Sequence, residues 1–349
     1  MERKYWIYQD YFIFKPEFNG PIENYIGIIK NYNKLIFSNH DNLEDSIKFM
    51  YGDNTYLYLI NENKSRFNKP LFNSLDKLSG LNELIFGWVF NVQLGNSLTQ
   101  LINLKKLIFG EIFNQHLANS LDNLTNLTLI TFGYKFNQPL SNSLNKLINL
   151  THLTFGEIFN QHLANSLDNL TNLTLITFGY KFNQPLDNSL DKLINLTHLT
   201  FGYEFDVQLA NSLDKLTSLQ NLTFGYKFNQ PLGNSLDKLI NLTQLTFGYK
   251  FNQQVYLLPN IKILTLDCYN QNLIDSLPNS VEQLNLCGNF WCTLDNLPSS
   301  IKIISFDNDS GYNRPLNNLP KLLEELKLPS KYNLEIKNPP INCKIIYKK

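Results

Sequence analysis

The side chains of this sequence that could hold a metal or act as nucleophiles are a few histidines and four cysteines, Cys268, Cys287, Cys292 and Cys343. Their spacing supports neither use. His152 and His198 fall two repeat units apart, roughly 10 Å at a strand spacing of ~4.8 Å, which is too far for a shared ion. His116 and His162 are copies of one another in duplicated sequence. Cys287 and Cys292 lack the short Cys-x-x-Cys knuckle and have no histidine nearby. The chain contains no phosphate-binding loop, Gly-x-Ser-x-Gly or His-Glu-x-x-His segment. We therefore expect no enzyme, no cofactor and no metal site, and look to binding chemistry instead.

Binding chemistry is suggested by columns of residues. Phe-Asn or Phe-Asp returns nine times at intervals of 23 residues, from Phe67 to Phe251. Such a period marks a solenoid, in which each unit contacts only its neighbours. One unit reads Phe182-Asn183-Gln184-Pro185-Leu186, then Asn188-Ser189-Leu190, then Leu196-Thr197-His198-Leu199-Thr200-Phe201-Gly202. The last segment alternates as a strand does: Leu199 and Phe201 point to one side, His198, Thr200 and Gly202 to the other. Stacking the units turns the outer positions into a candidate partner-binding face: Glu83, Lys106, Thr131, His152, Thr154, Thr177, His198, Thr200, Asn221, Thr223 and Gln244. An aromatic column follows the glycines, with Trp88, Tyr134, Tyr180, Tyr203, Tyr226 and Tyr249 as candidate anchors. Glu111 and Glu157 interrupt it. Strand propensity for Thr, a turn requirement for Gly and packing for the aromatics are the plain alternatives to a binding role.

The elements that must position these columns follow from the same unit. Asn188 and Ser189 are good helix N-caps, Asp191 suits a first helical turn, and Leu190 and Leu193 share one face, so a short helix is expected. Asn195 then falls where a helix ends in the left-handed conformation, a slot also filled by Gly80, Asn103, Asn126, Asn149 and Asn172. The side chain of Asn183 is expected to bond backbone groups at the corner and form a ladder along the coil. Strand, turn, helix and turn within 23 residues is an α/β, leucine-rich-repeat-like plan: a parallel sheet on one face, with short helices or 3-10 turns on the other.

Weaker strand signals lie on both sides of the regular repeats. Upstream they are Phe12–Phe14, Leu35–Phe37 and Leu57–Leu59; downstream they are Leu264–Leu266, Leu284–Leu286, Ile304–Phe306, Leu326–Leu328 and Ile345–Tyr347. Downstream spacing tightens to 19–22 residues, and Leu-Pro at 277–278, 297–298 and 319–320 replaces the helix start. We divide the chain into irregular repeats and a cap over 1–66, regular repeats over 67–252 and shorter Leu-Pro repeats with a cap over 253–349, all in one solenoid. Residues 111–156 recur as 157–202 with only Ser141/Asp187 and Asn145/Asp191 differing. A chain built by copying whole repeats is held by local contacts, which argues against a single preformed catalytic centre there.

Composition narrows the partner. Apolar content of 43% and charged content of 17% suit a packed core and not a disordered chain. No stretch reaches the ~18 apolar residues of a membrane span, and the first residues lack a signal-peptide pattern. Lys plus Arg and Asp plus Glu number 30 each, giving zero formal net charge. Nucleic-acid readers carry a basic surplus, so a protein partner is expected and nucleic acid is not. Four cysteines in so long a chain are ordinary for a reducing compartment, and we read the recurring Asn-Leu-Thr sequons as repeat grammar in a cytoplasmic protein. Self-association is the competing expectation.

At Phe-Asn-Gln-Pro-Leu, Asn-Ser-Leu and Leu-Thr-Phe-Gly the chain resembles the FNIP repeat family, leucine-rich-repeat-like proteins of social amoebae and of giant DNA viruses that infect amoebae. The strong resemblance covers roughly 67–252, with Leu140, Leu186 and Leu232 at the family's Ile position. It implies a non-catalytic interaction solenoid, acting on a host protein if the source is viral. Some viral members carry an N-terminal F-box that recruits a ubiquitin ligase. Residues 1–60 are aromatic and strand-like and lack the Leu-Pro opening of an F-box, so ligase recruitment is not expected.

Deleting residues 157–202 should leave a folded, shorter protein, because two whole repeats are removed in register. Deleting about 34 residues from the same place should not, since the Leu and Phe columns would fall out of phase. Thermal melts of the two variants distinguish these outcomes.

Overall fold

The computed structural model describes residues 3–46, 64–257, 259–288 and 290–348. The expected strand at Leu57–Leu59 lies outside them. The chain divides into two compact units, Met1–Gly179 and Tyr180–Lys349. Each is a stack of coils with its strands laid side by side in sequence order.

The first unit contains β1 (Tyr5–Tyr8), β2 (Tyr11–Phe14), β3 (Lys34–Phe37), β4 (Glu83–Ile85), β5 (Lys106–Ile108), β6 (Leu129–Thr131), β7 (His152–Thr154) and β8 (Leu175–Thr177). β1 and β2 form an antiparallel hairpin, an exception to the parallel order expected from sequence. From β2 onward the pairing is parallel, with equivalent residues opposite one another: Glu83, Lys106, Leu129, His152 and Leu175 form one row. A 3-10 turn (Ile22–Tyr25) and the one-turn helix α1 (Ile26–Ile29) follow the hairpin.

The second unit contains β9 (His198–Thr200), β10 (Asn221–Thr223), β11 (Gln244–Phe247), β12 (Ile263–Leu266), α2 (Gln271–Asp275), β13 (Gln283–Leu286), β14 (Ile303–Phe306), β15 (Glu325–Leu328) and β16 (Lys344–Tyr347). All strand pairs are parallel and in register. The downstream strands expected from sequence all form; α2 was not foreseen. Its cap is Asn270, whose side-chain oxygen accepts from the Leu273 N–H at 3.0 Å.

The core is a set of stacked columns. In the first unit Phe109 and Phe113 lie ring on ring within one coil at 4.1 Å, and each stacks on its counterpart in the next coil, Phe132 at 5.5 Å and Phe136 at 6.2 Å. The second unit repeats this with Phe201, Phe205, Phe224 and Phe228. Such pairs add roughly 0.5–1.5 kcal/mol each beyond burial of their area. Leu columns such as Leu117, Leu121, Leu124 and Leu127 are fully buried beside them.

Three expectations are corrected. No helix forms in the regular repeats among the described residues. The segment instead makes a chain of turns, in which Ser189, Asp191, Leu193 and Leu196 N–H groups donate to Leu186, Asn188, Leu190 and Leu193 carbonyls. Three-residue steps place Leu190, Leu193 and Leu196 on one inward side without the 3.6-residue drift of an α-helix. Second, the left-handed residue is not the Asn195 slot. It lies eight residues earlier, at Phe72, Gly95, Ala118, Ser141, Ala164, Asp187, Ala210 and Gly233, with φ between +41° and +51°. Third, the repeating glycine is required by the neighbouring coil and not by a turn. A Cβ on Gly133 would collide with the carbonyl oxygen of Gly110 and lie 2.8 Å from the Glu111 Cα.

The Asn slot has a different purpose. Asn103, Asn126, Asn149 and Asn172 Nδ2 donate to the carbonyls of Ser79, Ile102, Thr125 and Ile148 in the preceding coil at 2.8–2.9 Å. The corner ladder forms as expected: Asn91, Asn114 and Asn137 Oδ1 accept from the N–H groups of Asn114, Asn137 and Asn160 at 2.8–2.9 Å. In the second unit Asn183 Oδ1 accepts from Asp206 N–H at 2.8 Å, and Asp206 Oδ1 accepts from Asn229 N–H at 2.9 Å.

Gly133→Ala and Gly80→Ala separate these roles. Nothing lies within 4 Å of a Cβ on Gly80, whose φ is not left-handed. The first change should destabilise by about 1–3 kcal/mol or more through overpacking; the second should stay within about 0.5 kcal/mol. Denaturant melts measure both.

Candidate functional site

The outer face of the parallel sheet differs between the two units. In the first, its early part is covered. Ile85 and Ile108, 2% and 1% exposed, form a second apolar cluster with Tyr11, Ile13 and Ile36, against which Trp6, Tyr8, Leu43 and Leu129 pack. Thr131, expected as an accessible contact, is 3% exposed. Glu83 is ion-paired with Lys34 at 3.1 Å. Burial works against the Lys34 charge, but hydrogen bonds with Tyr11 and Glu83 outweigh it and hold the ammonium's pKa above its usual range. Burial pushes the Lys106 pKa down, with Glu83 opposing. His152 is exposed and Thr154 and Thr177 are half-buried, so the open part of this unit's face lies at β7 and β8.

In the second unit His198, Thr200, Asn221 and Thr223 are half-buried and Gln244 is exposed. The imidazole Nδ1 of His198 lies 2.9 Å from Thr197 Oγ1, and that of His152 lies 2.9 Å from Thr151 Oγ1. Each histidine is thus held by its chain neighbour. Among the described residues no group of three or more His, Cys, Asp or Glu side chains is placed to hold a metal. Burial pushes the thiols of Cys268 and Cys287 up to about 12 and that of Cys292 to about 11, leaving them poor nucleophiles at neutral pH.

The aromatic column is also divided. In the second unit Tyr180, Tyr203, Tyr226 and Tyr249 stack in sequence at 4.5, 4.4 and 4.9 Å between ring centroids. Tyr269 extends the column, edge-on to Tyr249 at 5.1 Å. By strand register Cys268 stands at the position of Tyr249 and Tyr269 at that of Lys250, so the repeat pattern carries no signal for Tyr269. Lys181 and Lys250 ammoniums lie 5.0 and 5.3 Å from the Tyr180 and Tyr249 centroids. Glu204 accepts from Lys227 at 2.6 Å and pairs with Lys181 at 3.6 Å. The inner ring faces are taken by one another, so the column presents ring edges and hydroxyls to a partner.

In the first unit Trp88 carries the Lys64 ammonium 4.0 Å from its ring centroid. The next member is Glu111, only 5% exposed, whose Oε2 accepts from the Tyr134 N–H at 3.3 Å. Burial raises its pKa to about 7, the Tyr134 N–H opposes, and Glu157 adds to the rise. Sequence reading saw Glu111 as an interruption of the aromatic column; its burial depends on the coils packed around it.

No family model matches the chain, and no curated protein matches it. Among solved structures, it is similar to an internalin, InlF, of Listeria monocytogenes: 16% identity, 86% of this chain and 87% of that one covered, TM-score 0.56. It is also similar to TLR13 in a complex with ssRNA13, at 15% identity, with 91% and 55% covered and TM-score 0.54. A third is Toll of Drosophila in its complex with Spatzle, at 17% identity, with 94% and 42% covered and TM-score 0.54. The chain thus spans about half the length of the TLR13 and Toll chains. The likeness is one of fold, and the fold is that of the leucine-rich-repeat proteins.

Glu111 gives a pH test. Its folded pKa is raised above the unfolded value of about 4.3, so its contribution is fully present below that value and is lost as pH rises through about 7. Glu111→Gln should therefore stabilise the protein at pH 8 by about 1–3 kcal/mol, with the gain shrinking as pH falls and disappearing only below about pH 4. Melting temperatures of both proteins across this range decide it.

Proposed function

We propose that this protein is a non-catalytic scaffold that binds a protein partner on the outer face of its sheets. The observation that carries the reading is one row of residues. The inward Phe and Leu columns and the corner Phe-Asn/Asp column hold nearly the same side chain from coil to coil. The row Lys106, Leu129, His152 and Leu175 in the first unit, and His198, Asn221 and Gln244 in the second, changes at each step while keeping strict register. A rigid frame with one variable row suits specific recognition by side chains that need no ordering on binding. Thr154, Thr177, Thr200 and Thr223 lie beside this row, and the tyrosine column from Tyr180 to Tyr249 flanks it with edges and hydroxyls.

A protein is favoured over nucleic acid as partner. The formal net charge is zero, and the stacked tyrosines offer few open ring faces to bases. Toll in complex with Spatzle and TLR13 in complex with ssRNA13 illustrate the two alternatives on this fold. The recurring Phe-Asn-Gln-Pro-Leu and Leu-Thr-Phe-Gly segments support reading the chain as an FNIP-repeat protein acting in the cytoplasm, on a host protein if its source is viral. Among the described residues no helix is long and apolar enough to cross a membrane.

One observation favours self-association as a second reading. Among the described residues β16 pairs only with β15, and Tyr347 is 53% exposed at a position where Leu328 of the preceding coil is fully buried. Concentration-dependent light scattering addresses this directly.

The main reading is tested with Thr200→Arg/Thr223→Arg, which places bulk and charge on the open face of the second unit, against Asp191→Ala on the turn side. Affinity purification with mass spectrometry identifies the partner of the unaltered protein. The Arg variant should lose that partner by at least about tenfold, a change of about 1.4 kcal/mol, while its melting curve stays close to that of the parent. The Asp191→Ala variant should keep the partner. The opposite pattern rejects the sheet face.

A further inference from the structure

The second unit carries four tyrosines in ring-to-ring contact along its coils. Tyr180, Tyr203, Tyr226 and Tyr249 follow one another at 4.5, 4.4 and 4.9 Å between centroids, with planes inclined by 5–7°. The inward Phe column of the same coils is looser, with Phe205 6.1 Å from Phe182 and 6.0 Å from Phe228. Burial in the stack raises the Tyr226 pKa, and the Tyr203 hydroxyl beside it adds to the rise, so these two phenols point the same way. Rings stacked in one orientation set each Cε, the carbon beside the hydroxyl-bearing one, over its counterpart about one ring spacing away. Tyr180 is 37% exposed and the next three are half-buried, so small molecules in solvent reach the column.

This arrangement suits oxidative coupling. Loss of one electron and one proton turns a phenol into a neutral phenoxyl radical, whose unpaired electron is shared between the oxygen and both Cε atoms. Two such radicals held face to face combine through a Cε–Cε bond, and holding them in place makes the coupling unimolecular. The hydrogen on each bonded carbon then moves to the oxygen and restores the phenol. In sum, two ring C–H bonds break, one C–C bond forms and two hydrogens leave; one hydrogen peroxide accepts them and becomes two waters. Other side chains are less well placed. Tyr312 and Tyr332, also nearly parallel, stand 6.2 Å apart and are only 2% and 4% exposed. Tyr134 is as exposed as Tyr180, but its neighbours in the column are Glu111 and Glu157. Cys268 and Cys292 are buried.

We propose that Tyr203 and Tyr226 form an oxidative modification site, at which a peroxidase-type one-electron oxidant and hydrogen peroxide join consecutive coils through a dityrosine bond. The bond links residues 23 apart and closes a loop, restricting the unfolded chain as a disulfide does. It uses tyrosines of the rim beside the sheet face but needs no protein partner, so it stands or falls apart from the binding reading.

The full chain, kept dilute, is treated with a plant peroxidase and limiting hydrogen peroxide, and the monomer is isolated by gel filtration. Dityrosine fluorescence is recorded and tryptic peptides are analysed by mass spectrometry. Cleavage after Lys215 separates the two tyrosines, so the bond appears as peptides 193–215 and 216–227 joined with the loss of two hydrogens. This product should dominate the cross-links of the monomer. Tyr203→Phe/Tyr249→Phe keeps the ring stack but leaves Tyr180 and Tyr226 two coils apart, roughly 10 Å. Its monomer fluorescence should fall at least about tenfold, with a melting curve close to that of the parent. Tyr226→Phe alone should move the bond to Tyr180 and Tyr203, which keeps the test decisive if the double variant melts early. The proposal is overturned if the monomer carries no dityrosine or if the bonds form only between chains. It is equally overturned if Tyr134 enters cross-links as often as Tyr226, or if the folded double variant keeps the parent's yield.

Discussion

Parallel strand pairing in one-to-one register is the constraint from which the other features follow. Within each unit it sets equivalent atoms of successive coils one strand spacing apart, ~4.8 Å. The side-chain columns stay near it, with the inward rings of Phe109 and Phe113 5.5 and 6.2 Å from their counterparts in the next coil. Flat rings tolerate it by stacking, which is why the tyrosines of the second unit lie at 4.4–4.9 Å. A branched side chain in the glycine column does not, because the carbonyl of the coil before already fills the space a Cβ would take.

The same repeat solves the problem of polar groups at the corners. A coil that turns between strands leaves N–H and C=O groups without strand partners, and burying them unpaired costs about 1–3 kcal/mol each. The Phe-Asn oxygen accepts one N–H per coil, the turn-side Asn amide and the Thr hydroxyl each donate to one carbonyl of the preceding coil, and Gln residues such as Gln115 and Gln138 add a donor to the same Asn oxygens at 3.0 Å. Asp206 serves where an Asn is expected because only the oxygen is used at that corner. Glu111 is the exception: it occupies an aromatic position with a carboxyl, and its burial makes it sensitive to pH near neutrality.

These ladders also separate surfaces. In the first unit the early sheet face is closed by Tyr11, Ile13, Ile36, Ile85 and Ile108, while Asn and Thr side chains form a polar surface where the chain enters its strands. In the second unit the sheet face stays open beside a rim of tyrosines and lysines.

The repeat period and the alternation of Leu-Thr-Phe determined the strands, their direction in the regular repeats, the inward Phe and Leu columns and the corner role of Asn183, because each depends on local spacing alone. The sequence also carried Asn188, Ser189 and Asp191, which read as a helix start. Tertiary structure decided otherwise: a 23-residue coil must return to the same register, and three-residue turns deliver the Leu side chains inward at that length where an α-helix would rotate them away. Which residue is left-handed, why the glycine is needed and why Thr131 is buried were likewise settled between coils. Those outcomes depend on atoms one or more repeats distant, brought within a few ångströms only when the strands pair.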